Sequence, residues 1–372
     1  MNSESGRRAL RPLAGGHFGV LWGILGDLDY FSKVLNLPRS TLADGPCALC
    51  RCKGHGPVSW TDFRTGAGWR NVQWTAHEWR LWDGRSKCPL FQDPDFSPWL
   101  VSMDWMHAKY LGHDQQTYGS VLSLLVHFVL PGQPESNLEI IWKDIQSYYK
   151  RNQTPVRYKY LNRLSMFQRK TYPKLRGKAA EVKYLAGPLL HVWQKYHNPR
   201  LSIHRDILLY LKLNLQIEEQ IVDNKDSLAF PEEEAVRFEE SVTSMLLLLT
   251  RIAEHFLEEN LFNITQKAHF MQHVALLARC ISPRLLWCFM GEDMQKRMST
   301  LAKSCVRGQR PGQTIFKLFQ RYRLALHLRF RKHGSSIVTC KARNNGSFSD
   351  AKPCRSGKTN FCFLLHRSVS SD

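Results

Sequence analysis

The chain has 372 residues, of which 43% are hydrophobic and 11% aromatic, and its formal net charge is +20. That apolar content fills a core and excludes a chain disordered throughout, and the length suits one large domain with an insertion, or two domains. The basic excess favours a polyanionic partner, with nucleic acid ahead of an anionic membrane surface.

Residues 1–12 are a polar arm, in which Arg7, Arg8 and Arg11 precede the apolar stretch from Leu13 to Leu25. The arrangement mimics a secretory leader, but His17 interrupts it and no small-residue cleavage site follows. The segment 17–28, HFGVLWGILGDL, is short and rich in Gly, Val, Ile and Leu, which predicts a buried strand ending at Asp27. From Pro38 to Pro98 the sequence is irregular. It carries Cys47-x-x-Cys50 and a run with four tryptophans, Trp69, Trp74, Trp79 and Trp82. An aromatic mini-core is the expected use of those rings, ahead of base stacking.

A second apolar run, 99–112, reaches Asp104 and then His107. From 113 to 262 the pattern becomes helical, with expected helices over TYGSVLSLLVHFVL, NLEIIWKDIQSYYKR, KAAEVKYLAGPLLHVWQKYH (broken at Gly187-Pro188), IHRDILLYLKLNLQIEEQIV and 231–262. Three glutamates behind Pro231 suit a helix start. Residues 265–280 predict another helix, RLLWCFM a strand, 291–306 a helix and 311–333 a basic amphipathic helix. Beyond Gly334, Ser, Gly, Asn and Lys dominate and a disordered basic tail is expected over 334–372. No run reaches the about 18 apolar residues of a membrane helix, so no membrane partner is expected. Ten cysteines are scattered without the dense spacing of a secreted disulfide scaffold, which favours a reduced compartment, cytosol or nucleus.

Four features could carry chemistry: Asp27, Cys47-x-x-Cys50, Asp104-x-x-His107, and His269-x-x-x-His273 followed by Glu292. Singly each is weak. A strand-end aspartate usually caps a turn, and two histidines one helical turn apart are commonly surface residues. Together, two thiolates and two imidazoles make a tetrahedral zinc set. His269 and His273 share one helical face. Such a site would tie the loop after Asp27 to the helix before Glu292.

In this order the features resemble the DDE transposases, and more narrowly the CACTA-type (Plavaka-like) superfamily with the related Transib and V(D)J recombinase group. DWMHAKYLG resembles that family's DPMH…LG segment, and KAHFMQHVALLARCISPRLLWCFMGEDMQKRM its late His…His…Trp…Glu-Arg segment. The resemblance covers about residues 17–305, discontinuously. It implies a helix-dominated α/β fold, an RNase H-like core interrupted by an all-helical insertion. The implied division is 1–112, a partial core with the Cys-x-x-Cys loop; 113–262, the insertion; and 263–333, the closing part of the core with the basic helix. It implies catalytic roles for Asp27, as the second acid, and Glu292, as the closing acid, with Asp104 and His107 as the intervening signature. Two Mg²⁺ ions would serve strand cleavage and joining, and structural zinc would sit on Cys47, Cys50, His269 and His273. Glu181 is a rival closing acid, and Asp29 and Asp293 are nearby alternates. No aspartate precedes Asp27, and 26 residues leave no room for three strands. The resemblance therefore implies an amino-terminally truncated copy lacking its first acid, with crippled catalysis.

The basic stretches agree with a DNA partner and a nuclear location. Thirteen Lys or Arg and no acid lie between Met294 and Ser349. Ten basic residues and no acid lie between Ile145 and Ala180, interleaved with Tyr148, Tyr149, Tyr158, Tyr160 and Tyr172. Phosphate contact with some stacking is expected, and no base-reading motif is visible. Self-association is left open. A DNA-binding remnant with no activity, and a helical interaction protein without zinc, are the competing readings.

Overall fold

The computed structural model describes residues 23–38, 45–81, 96, 98–168, 171–306 and 311–341. It is helix-dominated. The chain divides into two compact units, Met1–Asp293 and Met294–Asp372. What the sequence separates as core and insertion therefore lies, up to residue 293, within one unit.

Strand β1, Ile24–Gly26, pairs in parallel with β2, Val101–Met103, with Ile24 opposite Val101 and Gly26 opposite Met103. β2 is buried throughout, whereas Leu25 of β1 is exposed. The expected buried strand over 17–28 is thus, in its described part, a three-residue edge; positions 17–22 lie outside the described residues. β1 stops where Asp27 turns its carboxylate onto the N–H of Tyr30, at 2.6 Å, and opens helix α1, Leu28–Lys33. A parallel pair needs a long crossover, and here the crossover contains the cysteine loop and the short helix α2, Ala76–Leu81.

Asp104 ends β2 as Asp27 ends β1. Its Oδ1 accepts the N–H of Met106 at 2.9 Å, which starts helix α3 there instead of at 113. α3 runs through Met106–Asp114, Gln115–Leu124 and Leu125–Val129, the first and last sections being wound more widely than an α-helix. Helices α4 (Pro134–Arg151), α5 (Ala179–Lys183), α6 (Ala186–Tyr196), α7 (Ser202–Asp223) and α8 (Glu232–His255) follow. The expected break at Gly187-Pro188 falls earlier, at Tyr184-Leu185, because Pro188 fits the first turn of α6. Residues 152–178 are largely irregular and pair back on the core, with Leu175 N–H bonding Gln115 O at 2.8 Å. Gly119 permits this approach, since a Cβ there would lie 2.9 Å from the backbone nitrogen of Lys174.

Helix α9, Gln266–Leu277, packs on β2, α8 and the start of α3. The expected strand over RLLWCFM is instead a tight turn, Pro283–Leu286, leading into α10, Phe289–Val306. Pro283 initiates the turn, and Asp104 takes the Cys288 N–H at 2.9 Å, leaving no ladder to join. The second unit holds the rest of α10 and the basic helix α11, Pro311–Lys341. Arg321 of α11 donates to Ser304 O at 2.8 Å. α11 continues past Gly334, where the sequence reading ends ordered structure; the rest of that tail, 342–372, lies outside the described residues. No helix among the described residues is long and apolar enough to cross a membrane.

Between α3, α5 and α7 lies a buried polar network. Lys109, fully buried, meets Asp114 at 2.8 Å, Glu218 at 2.9 Å and Asn214 at 3.0 Å. Tyr110 donates to Glu218 at 2.9 Å, and Asn214 donates to Asp114 at 2.9 Å. Nearby, Tyr210 is hydrogen-bonded to His113 Nε2 at 2.5 Å. Lys109→Met, which strands two buried carboxylates, is expected to cost about 3–5 kcal/mol in urea unfolding. Neutralising Asp114 and Glu218 to Asn and Gln in the same chain should recover most of that loss.

Burial pulls the His113 pKa down to about 3, and the neighbouring Lys109 pulls the same way. The folded pKa thus lies below the ordinary value, so the unfolded chain takes the proton first. The stability present at neutral pH is lost as pH falls from about 6.5 towards 3. In urea titrations at pH 7, 5.5 and 4, the stability gap between wild type and His113→Gln should shrink by a few kcal/mol, in order of magnitude. A gap constant over that range would contradict the assignment.

Candidate metal centre

Two side-chain clusters stand out. The first joins the cysteine loop to helix α9. Cys47 and Cys50 are fully buried, and so are His269 and His273 to within a few per cent. Cys47 Sγ lies 3.4 Å from His273 Nε2, Cys50 Sγ lies 3.3 Å from His269 Nε2, and the two Nε2 atoms are 3.1 Å apart. Bonds of about 2.3 Å to sulfur and 2.0 Å to nitrogen at tetrahedral angles place such donors about 3.3–3.8 Å apart. The three distances are close to edges of such a tetrahedron, and all four donor atoms lie within 4.8 Å of one another. The group could hold a metal ion such as zinc.

Local structure explains why these residues converge. Cys50 bridges to Gln73, with Arg51 N–H bonding Val72 O at 2.9 Å and Trp74 N–H bonding Leu49 O at 3.0 Å. These bonds fix the loop as a knuckle, and Leu49 N–H points at Cys47 Sγ from 3.3 Å. His269 and His273 stand one turn apart on α9, and Gln272 between them donates to Phe63 O in the loop at 2.9 Å. Trp69, fully buried, lies edge-on to His269 at 4.5 Å between ring centroids and against His273 at 4.9 Å. Its indole N–H is satisfied by Asp62 O at 2.8 Å. Trp69 thus serves the core, with Trp74 partly buried beside it; Trp82 lies outside the described residues.

The electrostatics ask for a cation. Burial disfavours the Cys47 thiolate, yet the neighbouring thiols of Cys50 and Cys52 and the imidazoles of His273 and His269 bring its pKa well below the ordinary value. The same proximity to Cys47 pushes Cys50 and Cys52 up. Burial holds His269 down, so its ring is neutral and able to ligate. Its Nδ1 is buried without a partner. Several thiols in one dry pocket cannot all ionise unless a positive charge joins them. Cys52, fully buried in this cluster, was not singled out from the sequence; its position two residues after Cys50 was the only signal.

The second cluster contains the acids. Asp27 and Asp104 follow the paired residues Gly26 and Met103, so they stand side by side at the ends of neighbouring parallel strands. Asp104 is buried, and its Oδ2 is hydrogen-bonded to His107 Nδ1. On the other side of the ring, His107 Nε2 lies 3.6 Å from a carboxylate oxygen of Glu292. Cys288 is pushed up by burial and then by Asp104, with Asp27 and Glu292 adding to the effect. Lys267 reaches over Gly112 and donates to Leu111 O at 3.0 Å. Burial and Lys174 bring its pKa down to about 8, and Asp104 and Asp27 oppose them.

The alternates lie differently. Glu181 accepts the Lys178 N–H at 2.8 Å and borders Tyr149 and Tyr158. Asp29 pairs with Lys33 at 2.6 Å on the surface, and Asp293 is exposed. Neither Cys288 nor Lys267 was singled out from the sequence, where each is an ordinary residue within an apolar or helical run. No protein-family model matches the chain, and no curated protein or solved structure matches it.

Purified protein should carry about one zinc at the four-donor group, and Cys50→Ser or His273→Ala should each remove more than half of it by elemental analysis. Chelation should lower the melting temperature of the wild type but barely move that of either variant. Unchanged zinc content in both variants would show that the four residues do not form the site.

Proposed function

We propose that the chain is a DNA-binding protein of the DDE transposase and recombinase kind, built on an incomplete RNase H-like core with a helical insertion, and acting in the nucleus. The observation that carries the reading is the joint placement of two clusters. The Cys47, Cys50, His269 and His273 group brings together segments more than 200 residues apart, and Asp27, Asp104, His107 and Glu292 gather at the strand ends. Between them in sequence lies the helical stretch the family resemblance calls the insertion.

The family's first acid is missing from the chain, so the carboxylates on hand are Asp27, Asp104 and Glu292. Asp27 and Asp104 occupy the two strand ends, and Glu292 comes from the first turns of α10, so the chain itself supplies three carboxylates. Mg²⁺ bound there would activate a water or 3′-hydroxyl and stabilise the leaving oxygen. Asp27 and Glu292, partly open to solvent, are the acids with the freer coordination. His107 is oriented by Asp104 and faces Glu292.

DNA contact would come from the basic surface. Arg151, Arg157, Lys159, Arg163, Arg176 and Lys178 are exposed in and after α4. The interleaved tyrosines mostly do something else: Tyr149 and Tyr158 are in the core, and Tyr160 is the one that stands fully exposed. Backbone contact therefore dominates over stacking in this reading.

A second reading, a DNA-binding remnant without catalysis, is favoured by one observation. Asp104 Oδ1 serves two backbone N–H groups and Oδ2 serves His107, so this carboxylate acts first as a structural brace. Fluorescence anisotropy with a DNA duplex should show affinity falling steeply with salt, about tenfold or more from 50 to 200 mM. Replacing Lys159, Arg163 and Arg176 with Gln should flatten that slope. A Mg²⁺-dependent strand-cleavage assay then separates the readings: cleavage abolished by Asp27→Asn and Glu292→Gln supports the enzyme, and tight binding without cleavage supports the remnant. Affinity indifferent to salt would contradict both.

A further inference from the structure

We propose that Asp104, His107 and Cys288 form a second metal centre, one that takes a borderline, thiophilic divalent ion such as Zn²⁺ or Co²⁺ in preference to Mg²⁺. One carboxylate oxygen, one ring nitrogen and the thiol sulfur of these residues lie within 4.8 Å of one another. Side-chain movements of about an ångström would close that spread onto bonds of 2.0–2.3 Å. The residues come from the end of β2, the first turn of α3 and the entry to α10, so three separate elements contribute one donor each.

The backbone is already arranged for it. Asp104 Oδ1 is occupied by the N–H groups of Met106 and Cys288, both at 2.9 Å, which leaves Oδ2 as the ligating oxygen. That same bond from the Cys288 N–H fixes the thiol residue beside the carboxylate. In the bound form the ion would take the place of the hydrogen bond between Oδ2 and His107 Nδ1. Glu292 sits one helical turn beyond Cys288, whose carbonyl accepts the Glu292 N–H at 2.9 Å. Its carboxylate lies on the far side of the His107 ring and is half-exposed, so it can swing in as a fourth ligand or leave that position to water.

The donor set decides the metal. Mg²⁺ is hard and takes oxygen ligands in near-octahedral geometry. A thiolate and an imidazole in the same small site select Zn²⁺ or Co²⁺ instead. Cys288 is buried, and His107, whose side chain is 22% exposed, gives the site its opening to solvent. The inference uses Asp104, His107 and Glu292 of the proposed strand-cleaving centre, so a thiophilic ion held there would take those ligands from Mg²⁺; it does not rest on that reading, because its readout is a metal count.

The test is cobalt loading of the full chain, followed by desalting, elemental analysis and absorption spectroscopy. The wild type should hold two Co²⁺ per chain, with thiolate-to-cobalt charge transfer from both centres. Cys288→Ser should hold one and lose the charge-transfer component of the second centre, and a hundredfold excess of Mg²⁺ should not displace the second ion from wild type. His107→Gln should likewise hold one, while Cys50→Ser should lose the first ion and keep the Cys288-dependent component. One cobalt in the wild type, or two in both Cys288→Ser and His107→Gln, would overturn the proposal. So would release of the second ion by Mg²⁺. DNA-cleavage assays bear on the enzyme reading alone, so the two can fail separately.

Discussion

Two thiols and two imidazoles, buried in one dry pocket, set the main constraint on this protein. Cys47 and Cys50 come from the crossover after β1, and His269 and His273 from α9. Dry thiolates repel one another, and neutral thiols beside neutral imidazoles waste buried polar atoms. A divalent ion would resolve both problems, and its binding energy would become folding energy because the unfolded chain has no such site. Among its described residues the crossover has little regular structure, so a metal at this group would join the Trp69 core in holding it against the helices.

The clasp also sets up the acids. α9 carries the two histidines on one face, and Lys267, two residues earlier, reaches the region of Asp27 and Asp104. β1 and β2 are only three residues each, too short to be stable alone. Their register nevertheless brings two aspartates side by side, and Asp104 then braces three things at once: the start of α3, the His107 ring and the Cys288 backbone. A carboxylate so heavily used is a structural hub whatever chemistry surrounds it. Further along α3, the buried Lys109 network fixes the packing of α3 on α7 through charge pairing, which discriminates against register shifts more sharply than apolar contact does.

Much of this was legible in the sequence, for reasons that differ by element. The long helices α7 and α8 carry a sustained 3.6-residue period, so their existence was clear. The metal group was legible because pairs at i, i+3 in a loop and at i, i+4 on a helix are what ligands to one ion need. The short apolar runs were not. RLLWCFM has strand composition, but its N–H groups are taken by a local turn and by Asp104, which lies 184 residues away from Cys288. The burial of Ile24–Gly26 was overestimated because an apolar run does not say how many neighbours its strand will have. Lys109 was not singled out, since its partners Asp114, Asn214 and Glu218 meet it only after folding. Tyr149 and Tyr158 read as stacking candidates from their basic neighbours and are core residues.

The central claim is that residues from the two ends of the first unit meet on one metal ion. X-ray absorption at the zinc edge of the purified chain tests it most directly. The account predicts a four-coordinate first shell of two sulfurs at about 2.3 Å and two imidazole nitrogens at about 2.0 Å for the clasp. This should be read on the Cys288→Ser variant, so that the second centre does not contribute. A shell of oxygen and nitrogen alone, or no zinc retained, would contradict it.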